Sequence, residues 1–167
     1  MKRNVLNVIF RIAAGSVPLL LTLNPAFGQL TPREAMQRLE FMVGDWVGIS
    51  TTFEEDTIAT QVPAFEKISY RLDKHIITID LHAETLQLHT VIYYDENDST
   101  YYYNPYYKGG VGRYRATFRE GKLIVSPNAQ KRFIFQPTPE GGFKEYGEKR
   151  ENGRWVKYFE DIFKKSP

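Results

Sequence analysis

From Trp46 onward, apolar and polar residues alternate in runs of about six to ten residues rich in Ile, Val, Thr, Tyr and Phe. A period of two puts successive side chains on opposite faces of an extended chain, so these runs read as strands with one buried face. Polar or Gly-containing breaks fall near residues 54–57, 72–74, 83–86, 95–99, 108–110, 119–121, 137–142 and 150–153. Regular breaks with no helical period between them predict consecutive antiparallel hairpins. The expected fold is all-β: an up-and-down β-barrel or half-barrel of roughly eight to ten strands. One hairpin can be placed in register. If its turn centres on residues 84 and 85, Ile77, Ile79 and Leu81 share an apolar face with Leu88, Thr90 and Ile92. Thr78, Asp80 and His82 then share the other face with Gln87, His89 and Val91, which makes Asp80 and His89 neighbours.

A short N-terminal helix is expected ahead of the strands. Thr31 can cap it, Pro32 suits its first position, and Glu34 completes a capping box. It should reach about Met42, with Ala35, Leu39 and Met42 as its apolar stripe, and stop at Gly44. Before it, Lys2, Arg3 and Arg11 precede an uncharged, mostly apolar run from Ile12 to Leu23. That is the layout of a secretory signal peptide, and Ala26 and Gly28 place the cut before Gln29. The run is too short for a membrane helix, which needs roughly twenty apolar residues. The expected domains are a signal peptide over 1–28 and a barrel over 29–167, and the expected location is periplasmic or secreted.

Charge and composition narrow the functional classes. Of 22 basic residues, Lys2, Arg3 and Arg11 lie in the leader, leaving 19 against 20 acidic ones. The mature domain therefore lacks the basic footprint of a nucleic-acid binder. No stable membrane span remains after cleavage. The absence of cysteine excludes disulfides, thiolate catalysis and thiolate zinc sites. Eleven Tyr and eleven Phe supply large contact area for a core that must hold without cross-links.

The run Leu39-Glu40-Phe41-Met42-Val43-Gly44-Asp45-Trp46-Val47-Gly48 resembles the start of bacterial lipocalin-like, calycin-type families, in which a short helix leads into a Gly-x-Trp on the first strand. Gly44 and Trp46 are the matching positions. The later order of Tyr94-Asp95, an aromatic strand, Gly-Gly-Val-Gly at 109–112 and Arg-Glu-Gly at 119–121 is similar to a lipocalin-like family of unknown function, distantly nitrobindin-like. The resemblance implies a meandering barrel with a cavity, and its relatives include haem-binding proteins. Those hold iron through a late histidine, and this sequence has none after His89, so no cofactor is carried across. Independently of the resemblance, a large indole can plug one end of a barrel, which makes Gly44 and Trp46 structural.

The candidate wall of a cavity consists of Tyr101, Tyr103 and Tyr106 as an aromatic surface, Arg113 and Arg115 as anion holders, and the Asp80–His89 pair. Each has a plainer reading as packing tyrosine, solubilising arginine or surface ion pair. His75 and His82 lie an odd number of residues apart and face opposite ways, whereas His82, His89 and Asp80 share a face and make a conceivable two-His-one-carboxylate site, for which the preferred reading is a surface Asp80–His89 ion pair and no metal. No serine sits in a nucleophile-elbow context, and the glycines at 109, 110 and 112 precede a β-run rather than a phosphate-binding helix. Three functions remain. The first is an exported protein holding a small apolar or amphiphilic molecule in the barrel. The second is a structural or interaction module with a filled interior, acting through an outer face or as a homodimer. The third is an unrecognised enzyme using Asp80, His89 or the arginines.

Overall fold

The computed structural model describes residues 29–84 and 86–167. The signal-peptide reading falls on 1–28, outside the described residues. Chain order after Thr31 is α1 (Pro32–Gln37), a 3-10 turn (Glu40–Met42), then β1 (Gly44–Glu54), β2 (Thr57–Arg71), β3 (Ile76–Ala83), β4 (Gln87–Asp95), β5 (Thr100–Tyr107), β6 (Gly110–Val111), β7 (Tyr114–Arg119), β8 (Lys122–Asn128), β9 (Lys131–Pro137), β10 (Phe143–Glu151) and β11 (Arg154–Lys165).

The capping box forms as the sequence implies. The Glu34 amide donates to Thr31 Oγ1 at 3.3 Å, and the Thr31 amide to Glu34 Oε2 at 2.9 Å. The helix is shorter than expected, because its last amides close tighter turns: Arg38 donates to the Ala35 carbonyl and Leu39 to that of Met36. The barrel adds further donors to carbonyls of this segment. Tyr101 Oη donates to the Ala35 carbonyl at 2.9 Å, and Trp46 Nε1 to that of Met42 at 2.7 Å. Breaking the helix into two pieces lets Ala35, Met36, Leu39 and Met42 all reach full burial.

Every strand pairing is antiparallel, and pairing of β4 with β5 and of β1 with β11 closes the sheet. The result is a barrel of ten strands, with β6 a two-residue ribbon on the end of β5. The β3–β4 register matches the one read from sequence: Ile77 faces Ile92, Leu81 faces Leu88 and Asp80 faces His89. Three tight turns, at Glu55–Asp56, Glu120–Gly121 and Asn152–Gly153, hold both central residues at positive φ. That geometry matches strand twist in two-residue hairpins.

The two ends of the barrel differ. At one end the helix and 3-10 turn lie over Tyr94, Tyr101 and Leu123, and the interior is filled. Trp46 meets Phe143 edge-on at 4.9 Å, and Phe143 stacks on Phe163 at the same separation. Gly44 enters β1 at φ +152°, a backbone conformation side chains rarely adopt, directly beneath the Trp46 indole. Trp46→Phe keeps a ring in place and strips the buried bond to Met42. The expected cost is about 1–3 kcal/mol, read as a lower denaturant midpoint with unchanged slope.

Candidate functional site

Parity along each strand decides what faces inward. On β1 the inner set is Trp46, Gly48, Ser50 and Thr52; on β3 and β4 it is Ile77, Ile79 and Leu81 with Leu88, Thr90 and Ile92. Toward the end away from the helix these inner side chains stop meeting. They leave a cavity of about 420 Å³ walled by Leu81, Leu88, Tyr103, Phe133, Tyr158 and Phe159, with Glu145 and Asp161 at its inner end. Leu86 and Tyr107 stand half-exposed among its lining residues, so the cavity communicates with solvent at the rim. Its size falls within the roughly 300–1,000 Å³ typical of small-molecule sites.

Gly147 shapes this cavity by close approach. A Cβ there would lie 2.2 Å from the Phe159 ring and 2.7 Å from that of Tyr158. The ladder shifts register immediately after it, between Gly147 and Glu148. The shift turns both Tyr158 and Phe159 toward the space.

Three carboxyls lie on the inner side: Glu66 is 3% exposed, Glu145 9% and Asp161 4%. Glu145 and Asp161 are direct cross-strand partners, and Asp161 faces Ser50 on its other side. Burial drives all three away from the charged form. Glu66 is held well above the ordinary carboxyl range by burial and then by the charge of Asp161. Glu145 is raised in the same way by burial, by the neighbouring acids, and by donating its proton toward Asp161. Asp161 is raised by burial, against hydrogen bonds from Ser50, Glu145 and the Thr51 amide that favour its ionised form. Glu66 Oε2 and Asp161 Oδ1 have no hydrogen-bond partner. Tyr158, at the same level, is pushed up to about 12 by burial and by Glu145.

The residues singled out from sequence divide by the same parity. Tyr103 lines the cavity. Tyr101 points inward on the same strand, but one layer deeper, where it anchors the helix. Tyr106 points outward beside His89, with ring centres 6.3 Å apart. Asp80 Oδ1 accepts from His89 Nδ1 at 2.6 Å on the outer face, with both side chains substantially exposed. Arg113 lies 4.1 Å over the Tyr102 ring and donates to Tyr93 Oη. Arg115 reaches Thr100 Oγ1 at 2.9 Å and Asp98 at 3.5 Å. This outer ladder of arginine and tyrosine is separate from the cavity. Gly44 and Trp46 occupy the filled end. Sequence reading passed over Glu66, Glu145, Asp161 and Gly147.

Among the described residues, no group of three or more His, Asp or Glu side chains is arranged to hold a metal ion. None of their helices is long and apolar enough to cross a membrane.

No family model matches this chain, and no curated protein matches it. Among solved structures, the crystal structure of Rv2717c from M. tuberculosis superposes with a TM-score of 0.53 at 9% identity, covering 80% of this chain and 98% of that one. At that identity the likeness concerns the fold.

Proposed function

We propose that this protein is an exported carrier or sensor that holds one small apolar or amphiphilic molecule inside its barrel. The observation that supports this reading is the asymmetric interior: one end is packed solid by Trp46, Phe143, Phe163 and the helix, and the other is left hollow. An apolar wall held open to water at its rim gains free energy when an apolar molecule covers it. The cavity is therefore kept for an occupant. Export rests on the leader-like first 28 residues.

The test is titration with the neutral fluorophore N-phenyl-1-naphthylamine. Binding at one site per chain with a blue-shifted emission is expected. Ala83 lines the cavity near its rim, so Ala83→Trp should abolish that binding while the melting temperature changes little. Equal fluorophore binding by the variant, or none by either protein, would overturn the reading.

A second reading, an interaction module, is supported by a separate feature. Ile49, Phe65 and Ile162 stand about half-exposed on the outer face. Ile49 and Ile162 are cross-strand partners, and Phe65 faces Val47 on the neighbouring strand. Concentration-dependent sedimentation, lost in Phe65→Lys, would favour a homodimer through this face.

A further inference from the structure

The cavity is apolar along its wall and acidic at its inner end, and among the described residues no Lys, Arg or His lines it. We propose that its occupant is an amphiphilic organic cation, an alkyl or aryl amine whose ammonium group seats on Asp161 and Glu145 and whose apolar body lies along Leu81, Leu88, Phe133 and Phe159. This deepens the carrier reading and rests on it.

Three observations converge. Asp161 and Glu145 are adjacent across β10 and β11, both nine-tenths or more buried, and both line the cavity. Asp161, whose Oδ1 has no hydrogen-bond partner in the ladder around it, is one of the residues that line the cavity. Finally, nothing on the cavity wall neutralises the pair. The groups around it are Ser50 from β1, Glu66 from β2, Tyr103 from β5 and Tyr158 from β11, none of them cationic. Glu160, next in the chain, is occupied by Lys144 and Lys157 instead.

Charge balance then selects the ligand. Two adjacent buried acids with no cation beside them are best met by an opposite charge. One ammonium supplies that charge and up to three donors, enough to fill Asp161 Oδ1 and a further acceptor. A fatty carboxylate would add a second negative charge in a low-dielectric site. A neutral alcohol would bring no opposite charge to the two acids. A bare metal ion would need several ligands converging on one point, which the carboxyls do not provide.

Displacement of N-phenyl-1-naphthylamine from the full mature chain by decylamine, decanol and decanoate at neutral pH tests this. Decylamine should bind at least about tenfold more tightly than decanol, with decanoate weakest. Asp161→Asn should remove the amine preference, bringing decylamine to within a few-fold of decanol, while decanol binding is kept. Glu145→Gln, which retains a donor toward Asp161, should keep most of the preference and serves as a second folded variant. Equal affinities for the three compounds would overturn the amine proposal and leave the carrier reading standing, as would a preference for decanoate. Failure of all four compounds to bind would overturn both.

Discussion

Replacing Phe143 with alanine should destabilise the barrel by about 3–5 kcal/mol, as expected for emptying a fully enclosed aromatic site. Phe143 is completely buried between the Trp46 edge and the Phe163 face. It also begins β10 opposite Pro137 on β9 and Phe163 on β11, so it links three strands at the packed end. The surrounding groups are held in place by β-ladders and by the helix, and collapse can fill little of the gap. Domains are stable by only about 5–15 kcal/mol, so this one change removes a large share of the total. Chemical denaturation of residues 29–167 measures it. A loss below about 1 kcal/mol would mean that the packed end does not anchor the fold. The same truncation at Tyr106, exposed on the outer face, should cost far less.

The second large effect is a dependence of stability on pH. Glu66, Glu145 and Asp161 all have folded-state values raised above the ordinary 4.5, 4.5 and 3.8, chiefly by burial. Each therefore binds its proton more tightly in the folded chain than in the unfolded one. The stability they contribute is complete below the ordinary carboxyl range and is lost as pH rises through their raised values. Glu34, Asp98 and Glu160 shift the other way, so their contributions are lost on acidification. The melting temperature of the ligand-free protein should consequently peak in mild acid and fall toward mild base. Glu66→Gln removes one of the buried acids without changing its shape. The variant should melt a few degrees above the parent at mildly basic pH, with a flatter profile, and match it in acid. A parent profile that rises from mild acid to mild base, or a Glu66→Gln profile parallel to it, would show that these carboxyls are hydrated.

Which parts of the fold were legible follows from what fixes each of them. The β3–β4 hairpin could be aligned residue by residue because its alternation is nearly free of exceptions and its turn is short, and a one-residue slip would turn Ile77, Ile79 and Leu81 to solvent. The helix cap was equally local: Thr31 and Glu34 satisfy each other without help from the barrel. The end of the helix was not local, since Tyr101, 66 residues away in sequence, sets where it breaks. One turn escaped notice. Residues 129 and 130 divide β8 from β9, and Pro127 and Asn128 ahead of them are the turn-forming residues that mark it.

The candidate site was less legible, for reasons of parity. Tyr103 and Tyr106 are three apart, so a flat strand cannot bring both to one cavity, and Arg113 and Arg115 share parity with each other but sit opposite Tyr114, which lines it. The acids left a usable signal. Glu66 lies between Ala64 and Ile68 at a spacing of two, Glu145 between Phe143 and Gly147, and Asp161 between Phe159 and Phe163. A carboxylate whose same-face neighbours are apolar points into the core. What no single strand reveals is that β2, β10 and β11 bring the three together, because that requires the closed strand order.

The central claim is a barrel kept hollow at one end for one small molecule, and native mass spectrometry of the protein purified from its own host tests it most directly. The prediction is a second charge series offset by the mass of a single small molecule, absent after denaturation and absent in Ala83→Trp purified in parallel. A bare chain mass for the parent protein, under conditions where the variant is equally folded, would contradict it.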